Sequence, residues 1–553
     1  MTAIPGFVGG SDVQRSLNLS DNKCINLIPT VNDNGSVAGF INAPGLLEYL
    51  SIPAGVIATG IYRASNGRCF MVAGTTLYEI NAGATLTSRG TVTAPASGDV
   101  TRFSDNGIEL IFVNGIDGWT FTFSSNTLEK IKVVQGTITV TIATPAVFSY
   151  TGHTLVAGDR FLLTTTGALP TGLSASVVYY VISAGLTADA FQASSTLAGA
   201  AINTSGSQSG VHTMTTEGWG FPNGCKTISY MNGRFVACEP DTQNFYVSEV
   251  LDGRYWDSLN VQTVDSNPDL VIGEVVSHNE LIVFCELSGE VFYDSGTVPT
   301  PFVRHGSAVF EVGLLAPYSI AKIDNTFMWL GKSSTGPGGI YRMNGYTPEN
   351  ITPPSIVTAI QGMSDVSDAI SFTYEQDDHT YYVITFPTGN RSFAYDANTK
   401  LWHERASFVN GLFTRWEAQE YTYFDGEHLV CDYSEGKIYK IKMDTYQYGS
   451  DVRKWVRSFR APPSKGLPVR HKRLMLEIES GVGVGTEQTV MMRWSDNGGH
   501  TWSNEKWRDM GAIGEYNKRL IWSSLGMTKG QPRIYEISGT SPVKTVLLNA
   551  YLD

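Results

Sequence analysis

IELIFVNGIDGWTFTF, residues 108–123, decides the fold class. An apolar run, Leu110–Val113, enters a turn bearing Asn114 and Gly115. An aromatic-rich run with Trp119, Phe121 and Phe123 returns from it. Turn residues that tolerate positive φ, placed between two such runs, mark a β-hairpin. The pattern recurs as RCFMVAGTTLYEI from Arg68, RFVACEPDTQNFYVSEV from Arg234 and LIVFCELSGEVFYDSG from Leu281. Further copies are FMWLGKSSTGPGGIYRMNG from Phe327, TYYVITFPTGNRSFAYDANTKLWHE from Thr380 and HLVCDYSEGKIYKI from His428. With one interruption set aside, the copies start roughly 40–55 residues apart, the spacing of four-stranded propeller blades. A lone blade exposes an apolar face, and radial stacking buries it. The expected fold is all-β: a β-propeller of about six to seven blades, an inserted small β-domain and a C-terminal β-sandwich-like domain. An array of β-sandwiches is the alternative, but it does not demand so regular a period.

Composition agrees with many short strands. Of 553 residues, 16% are charged and 42% hydrophobic, and 57 are Gly, the residue that supplies tight turns. Six cysteines, Cys24, Cys69, Cys225, Cys238, Cys285 and Cys431, form no CxxC pair. They are expected to be buried thiols of a protein made in a reducing cytoplasm. The N-terminal MTAIPGFVGG has neither the basic nor the long apolar region of a signal peptide. No apolar run nears the ~18 residues of a membrane helix, so no membrane insertion is expected.

Charge is segregated. Residues 443–553 carry 16 Lys and Arg against 11 Asp and Glu, while the first 442 carry 23 against 41. An acidic body repels phosphates, so it does not wrap nucleic acid, but it suits the wall of a tube through which DNA slides.

The interruption, 133–216, shifts abruptly to Thr, Ala, Ser and Gly, with Asp159, Arg160 and Asp189 as its charges. Strand-like alternation persists. It is expected to be a β-domain inserted in a loop between blades, since loop insertions cost little. A surface poor in long charged side chains loses little rotamer entropy on burial. That favours a docking face for a spike, a fibre or a neighbouring copy over passive decoration of the rim.

Beyond residue 443 comes a basic run: Arg453, Lys454, Arg457, Arg460, Lys465, Arg470, Lys472 and Arg473. Arg453, Arg457, Arg460, Arg470 and Arg473 are the candidate assembly contacts, with a solvated linker as the competing reading. The expected boundaries are 1–132 and 217–442 for the propeller, 133–216 for the insert, 443–472 for the linker and 473–553 for the C-terminal domain.

No motif specifies chemistry. WSDNGGHTWS, 494–503, resembles the Asp-box turn of sialidases, with Asn497 where Asp is usual. It occurs once, outside the expected propeller, and without the Arg cluster, acid and Tyr nucleophile of such an enzyme. Gly331-Lys332-Ser333 lacks the earlier glycine of a phosphate loop, because Thr326 stands there. Asp377-Asp378-His379 and the Asp365/Asp368 pair are expected in exposed turns. The nine histidines are dispersed and specify no metal site. No catalytic, cofactor or metal residue is assigned. A glycan-binding or glycan-hydrolysing propeller is the main rival to a structural protein.

Three longer stretches carry a family resemblance. VQRSLNLSDNKCINLIPTVND from Val13, FYVSEVLDGRYWDSLN from Phe245 and RWSDNGGHTWSNEKWRDMGAIGEYNKRLIWSSLG from Arg493 resemble the tail-hub, or packaged-DNA stabilisation, proteins of short-tailed bacteriophages. The resemblance spares only the insert. It implies a non-enzymatic virion protein, made in the host cytoplasm and assembled as a ring of six copies below the portal and adaptor. Such a hub prolongs the DNA channel without reading base sequence, helps retain packaged DNA, and seats the tail needle or plug and the spikes or fibres.

Overall fold

A computed structural model describes residues 2–13, 20–32, 34–297, 301–336, 338–463, 465–482 and 488–553. Residues 14–19 and 33 of the N-terminal stretch quoted above lie outside these. Among the described residues, seven antiparallel sheets stand as propeller blades. Blades 1 and 2 occupy 58–91 and 102–130; blades 3 to 6 occupy 229–263, 271–310, 313–350 and 370–409. Blade 7 takes three strands from 418–442 and its outermost strand, Gly45–Ser51, from the other end of the propeller. That strand pairs with Lys437–Lys442 and closes the ring.

The hairpins behave as their pattern demands. Leu110–Val113 pairs with Gly118–Phe121, and both faces are buried because blades pack on both sides. Phe70 of blade 1 lies against Phe112 and Phe121 of blade 2, all with zero exposure. Burying one such ring contributes about 1.5–3 kcal/mol.

Side chains bridge the innermost strands around the propeller axis. Arg102 of blade 2 donates to Glu420 of blade 7 at 2.7 Å and to the Tyr318 carbonyl at 2.9 Å. Tyr318 packs with Val100 and Ile370. Between blades 3 and 4, the Thr227 hydroxyl donates to Glu274 at 2.5 Å.

A second module is a two-sheet sandwich. One sheet runs Leu520–Ser523, Arg473–Ile478, Val546–Leu552, Val37–Asn42, Leu27–Val31; the other contains Trp455–Arg460, Ile534–Gly539, Thr489–Ser495 and Lys506–Asp509. Phe7, Phe40, Trp455, Phe459, Trp522 and Tyr535 form its core. Two expected boundaries therefore move. Residues 2–42 belong to the sandwich and not to the propeller, because their strands pair with Val546–Leu552, a partner that local alternation cannot reveal. The expected linker 443–472 contains a sheet strand, Trp455–Arg460, whose arginines hide its apolar alternation.

The insert is a closed barrel of six strands between Gln135 and Thr216, filled by Phe148, Phe161, Leu163, Phe191 and Met214. Its ends meet: the Thr216 amide donates to the Val134 carbonyl, and the Val134 amide to the Thr216 hydroxyl, each at 2.9 Å.

Propeller and sandwich are joined at Asn26, buried at φ 56°, a left-handed conformation that Asn tolerates better than most residues. Its amide donates to Glu404 O and its carbonyl accepts from Ala43. Its side-chain Nδ2 donates to Ala406 O at 2.7 Å and Lys454 O at 2.8 Å. Its Oδ1 accepts from the Ala406 amide and the Tyr448 hydroxyl, both at 3.0 Å. The blade 6 sheet thereby continues through Cys24–Ile25 into Trp455–Arg460.

Asn26→Ala leaves buried backbone groups unpaired and is expected to cost about 2–4 kcal/mol. Scanning calorimetry should show a lowered melting temperature with the sandwich and propeller transitions separated. An unchanged single transition refutes the role of Asn26 as the coupling residue. A second expectation concerns pH. Burial pushes the Glu274 carboxyl from 4.5 up to about 7, against the lowering effect of the Thr227 hydroxyl. The folded protein then binds this proton more tightly than the unfolded chain, so its contribution is lost as pH rises from about 4.5 through 7. Glu274→Gln should melt higher than the parent at pH 8, with the gap shrinking towards pH 5. A gap independent of pH contradicts this linkage.

Candidate assembly interface

The five candidate arginines divide by burial. Arg453 and Arg457 are 2% and 0% exposed and are not surface contacts. Arg453 donates to the Ala43 carbonyl. Arg457 donates to Phe7 O at 2.8 Å, Gly6 O at 3.0 Å, Lys23 O at 3.3 Å and Gly10 O at 3.4 Å, and lies over the Phe40 ring. Burial pushes both guanidinium groups down to about 10, so both stay cationic at neutral pH. Their planar forks bind segments 6–10 and 43 into the sandwich. Arg460 is partly buried at the end of the same strand. Its charge and that of Lys23 oppose the burial that pushes Asp21 up to about 6.

Arg470 and Arg473 are exposed, as is Lys472 between them. They line a cleft of about 490 Å³ with His471, Ser523, Ser524 and Asp553, and Arg473 pairs with Asp553 at 2.9 Å. Lys472 is the contact candidate that the choice of arginines alone overlooked; its position in the run was the available signal.

The barrel uses its few charges at its root. Arg160 pairs with Glu217 and lies 3.6 Å from Asp252; Lys132 lies 3.7 Å from Asp159. Arg254 continues the network to Asp252 at 3.2 Å and Glu129 at 3.3 Å. Asp189 accepts from the Gly152 amide. Next to the root, neighbouring strands place Gln135, Thr215 and Leu162 in one row and Thr137, Thr213 and Thr164 in the next. Short hydroxyl side chains on a regular sheet need little ordering when covered.

The Asp-box stretch is a self-contained hairpin turn. Ser495 and Asn497 bond each other at 2.8 Å, the Gly499 amide donates to Ser495, and the Thr501 amide donates to Asn497. Asp496 holds the buried Arg533 at 2.7 Å. These groups are spent on the turn. Gly331-Lys332 closes a strand of blade 5, and Asp377 and Asp378 form a positive-φ turn.

No curated protein matches the chain at a significant level. Among solved structures, the N-terminal domain of Nup159 aligns at 8% identity over 76% of this chain and 98% of that one, with TM-score 0.36. The computationally designed Ika8 protein aligns at 11% identity, 72% and 99% coverage and TM-score 0.33. An exo-β-1,3-galactanase from Phanerochaete chrysosporium gives 10%, 75%, 100% and 0.22. At these scores none of the three bears on fold or function. Two family profiles do: one described as bacteriophage P22 Gp10, β-propeller, matches residues 124–446, and one described as bacteriophage P22 Gp10, β-sandwich, matches 464–553. The first begins inside blade 2 and includes the barrel, and together they reach both modules found in the fold. The chain therefore belongs to the phage-stabilisation family of bacteriophage P22 Gp10, structural tail proteins of the virion.

Proposed function

We propose that the protein is a non-enzymatic tail hub, made in the host cytoplasm, of which six copies form a ring below the portal and adaptor. The ring prolongs the DNA channel, helps retain packaged DNA, and anchors the tail needle and the spikes or fibres. The family match across both modules carries this reading. The Arg102–Glu420 pair and the Tyr318 cluster bridge the innermost strands, which favours passage of DNA between copies over passage through one propeller. The acidic body, 41 Asp and Glu against 23 Lys and Arg over the first 442 residues, gives such a lumen a repelling wall.

The exposed Arg470, Lys472 and Arg473 dock on an acidic ring neighbour, and the barrel, with its row of Thr137, Thr213 and Thr164, meets a spike, a fibre or a neighbouring copy. Exposed ion pairs contribute under about 1 kcal/mol each, so the triple Arg470→Glu, Lys472→Glu, Arg473→Glu is the useful variant. It should fold with unchanged circular dichroism yet fail to enter virions, as read by electron microscopy of tails; normal incorporation refutes the contact. Replacing 133–216 by a short Gly/Ser linker should leave the melting temperature of the propeller nearly unchanged, because the ends of the insert are adjacent. Virions carrying the excision should lose spikes or fibres. A full complement of appendages with normal adsorption overturns the docking role.

A further inference from the structure

The innermost strands of blades 1, 2, 5, 6 and 7 converge on a cavity of about 360 Å³ at the propeller axis. Glu420 and Arg102 line it as a pair. One carboxylate oxygen of Glu420 takes the Arg102 hydrogen bond, while the other, Oε1, is buried without a hydrogen-bond partner. The side chain itself is only 5% exposed. Aromatic pairs supply the walls: Tyr62 stacks on Phe103 at 5.7 Å, and Phe372 on Tyr421 at 5.8 Å. Tyr423, 47% exposed, stands among the lining residues.

We propose that this axial cavity binds one sugar ring of a glycan. A pyranose has an apolar C–H face and a rim of hydroxyls. The face stacks on tyrosine, as the amphipathic ring of Tyr favours. One hydroxyl donates to Glu420 Oε1, and its neighbour accepts from Arg102, a charge-assisted pairing. A purely apolar guest leaves Oε1 unpaired, and an anion meets the Glu420 carboxylate. The volume lies near the lower end of small-molecule pockets, about 300–1,000 Å³, so it admits a terminal residue and not a long chain. Hydrolysis of a glycoside uses two carboxyl groups flanking the bond; the residues lining this cavity include one, already paired with arginine. The site therefore holds its sugar without cleaving it. It is complete within one chain and does not depend on ring formation.

The test uses the full-length protein on an array of glucose-, galactose-, mannose-, rhamnose- and N-acetylglucosamine-terminated oligosaccharides. Titration calorimetry then follows with any that are retained. At least one sugar class should bind with Kd below about 1 mM. Tyr423→Ala should weaken it at least tenfold with an unchanged melting temperature, and Glu420→Gln should do the same. If Glu420→Gln fails to fold, Tyr423→Ala alone decides. Retention of no sugar overturns the proposal, and so does binding that Tyr423→Ala leaves intact.

Discussion

The side-chain amide of Asn26 is the constraint on which the two-module architecture depends. A carboxamide both donates and accepts, and every polar atom of this residue is used inside the protein. An aspartate cannot donate, and an apolar residue satisfies none of these groups. Through this residue the sheet of blade 6 runs on into the sandwich, so the two modules share one hydrogen-bonded sheet instead of a linker. Arg457 and Arg453 extend the same solution, each directing its guanidinium at backbone carbonyls. Arg457 spreads its donors over four carbonyls, whereas the buried Nε of Arg453 has no hydrogen-bond partner; a buried charge is costly where its donors go unmatched.

Much of the fold was legible because blades repeat locally. Each hairpin carries its own turn and alternation, so the strands at 68–80, 108–123 and 428–441 could be read in isolation, and the composition break at residue 133 announced a separate β-unit. What was hidden is long-range. The pairing of Val37–Asn42 with Val546–Leu552 leaves no mark at either end, and Gly45–Ser51 looks like any blade strand until its partner Lys437–Lys442 is known. The basic run misled for a physical reason. Arginine usually signals surface, yet Arg457 shares one face of a buried strand with Trp455 and Phe459. Charge counting cannot tell a guanidinium facing water from one capped by carbonyls; the exposed subset, Arg470, Lys472 and Arg473, emerges only from the fold.

The axial cavity lay further still from sequence reading. Tyr62, Phe103, Phe372, Tyr421 and Glu420 are spread over 360 positions of chain and meet only because each sits on the innermost strand of its blade. The same convergence brings side chains from five blades to the propeller axis, where they leave a small recess.

The placement of Gly45–Ser51 and of the first 42 residues in sheets completed by late strands also sets the order of events at the ribosome. Blade 7 closes only after Lys437–Lys442 has emerged, and the sandwich only after Val546–Leu552. At about 5–20 residues per second, translation of the chain lasts roughly 30–110 s. During nearly all of that time the earliest residues have no partner. A nascent or prematurely stopped chain thus presents an open blade and an unpaired sheet edge. Closure by the distant strand has one plain consequence: only a chain translated through both partners completes blade 7 and the sandwich.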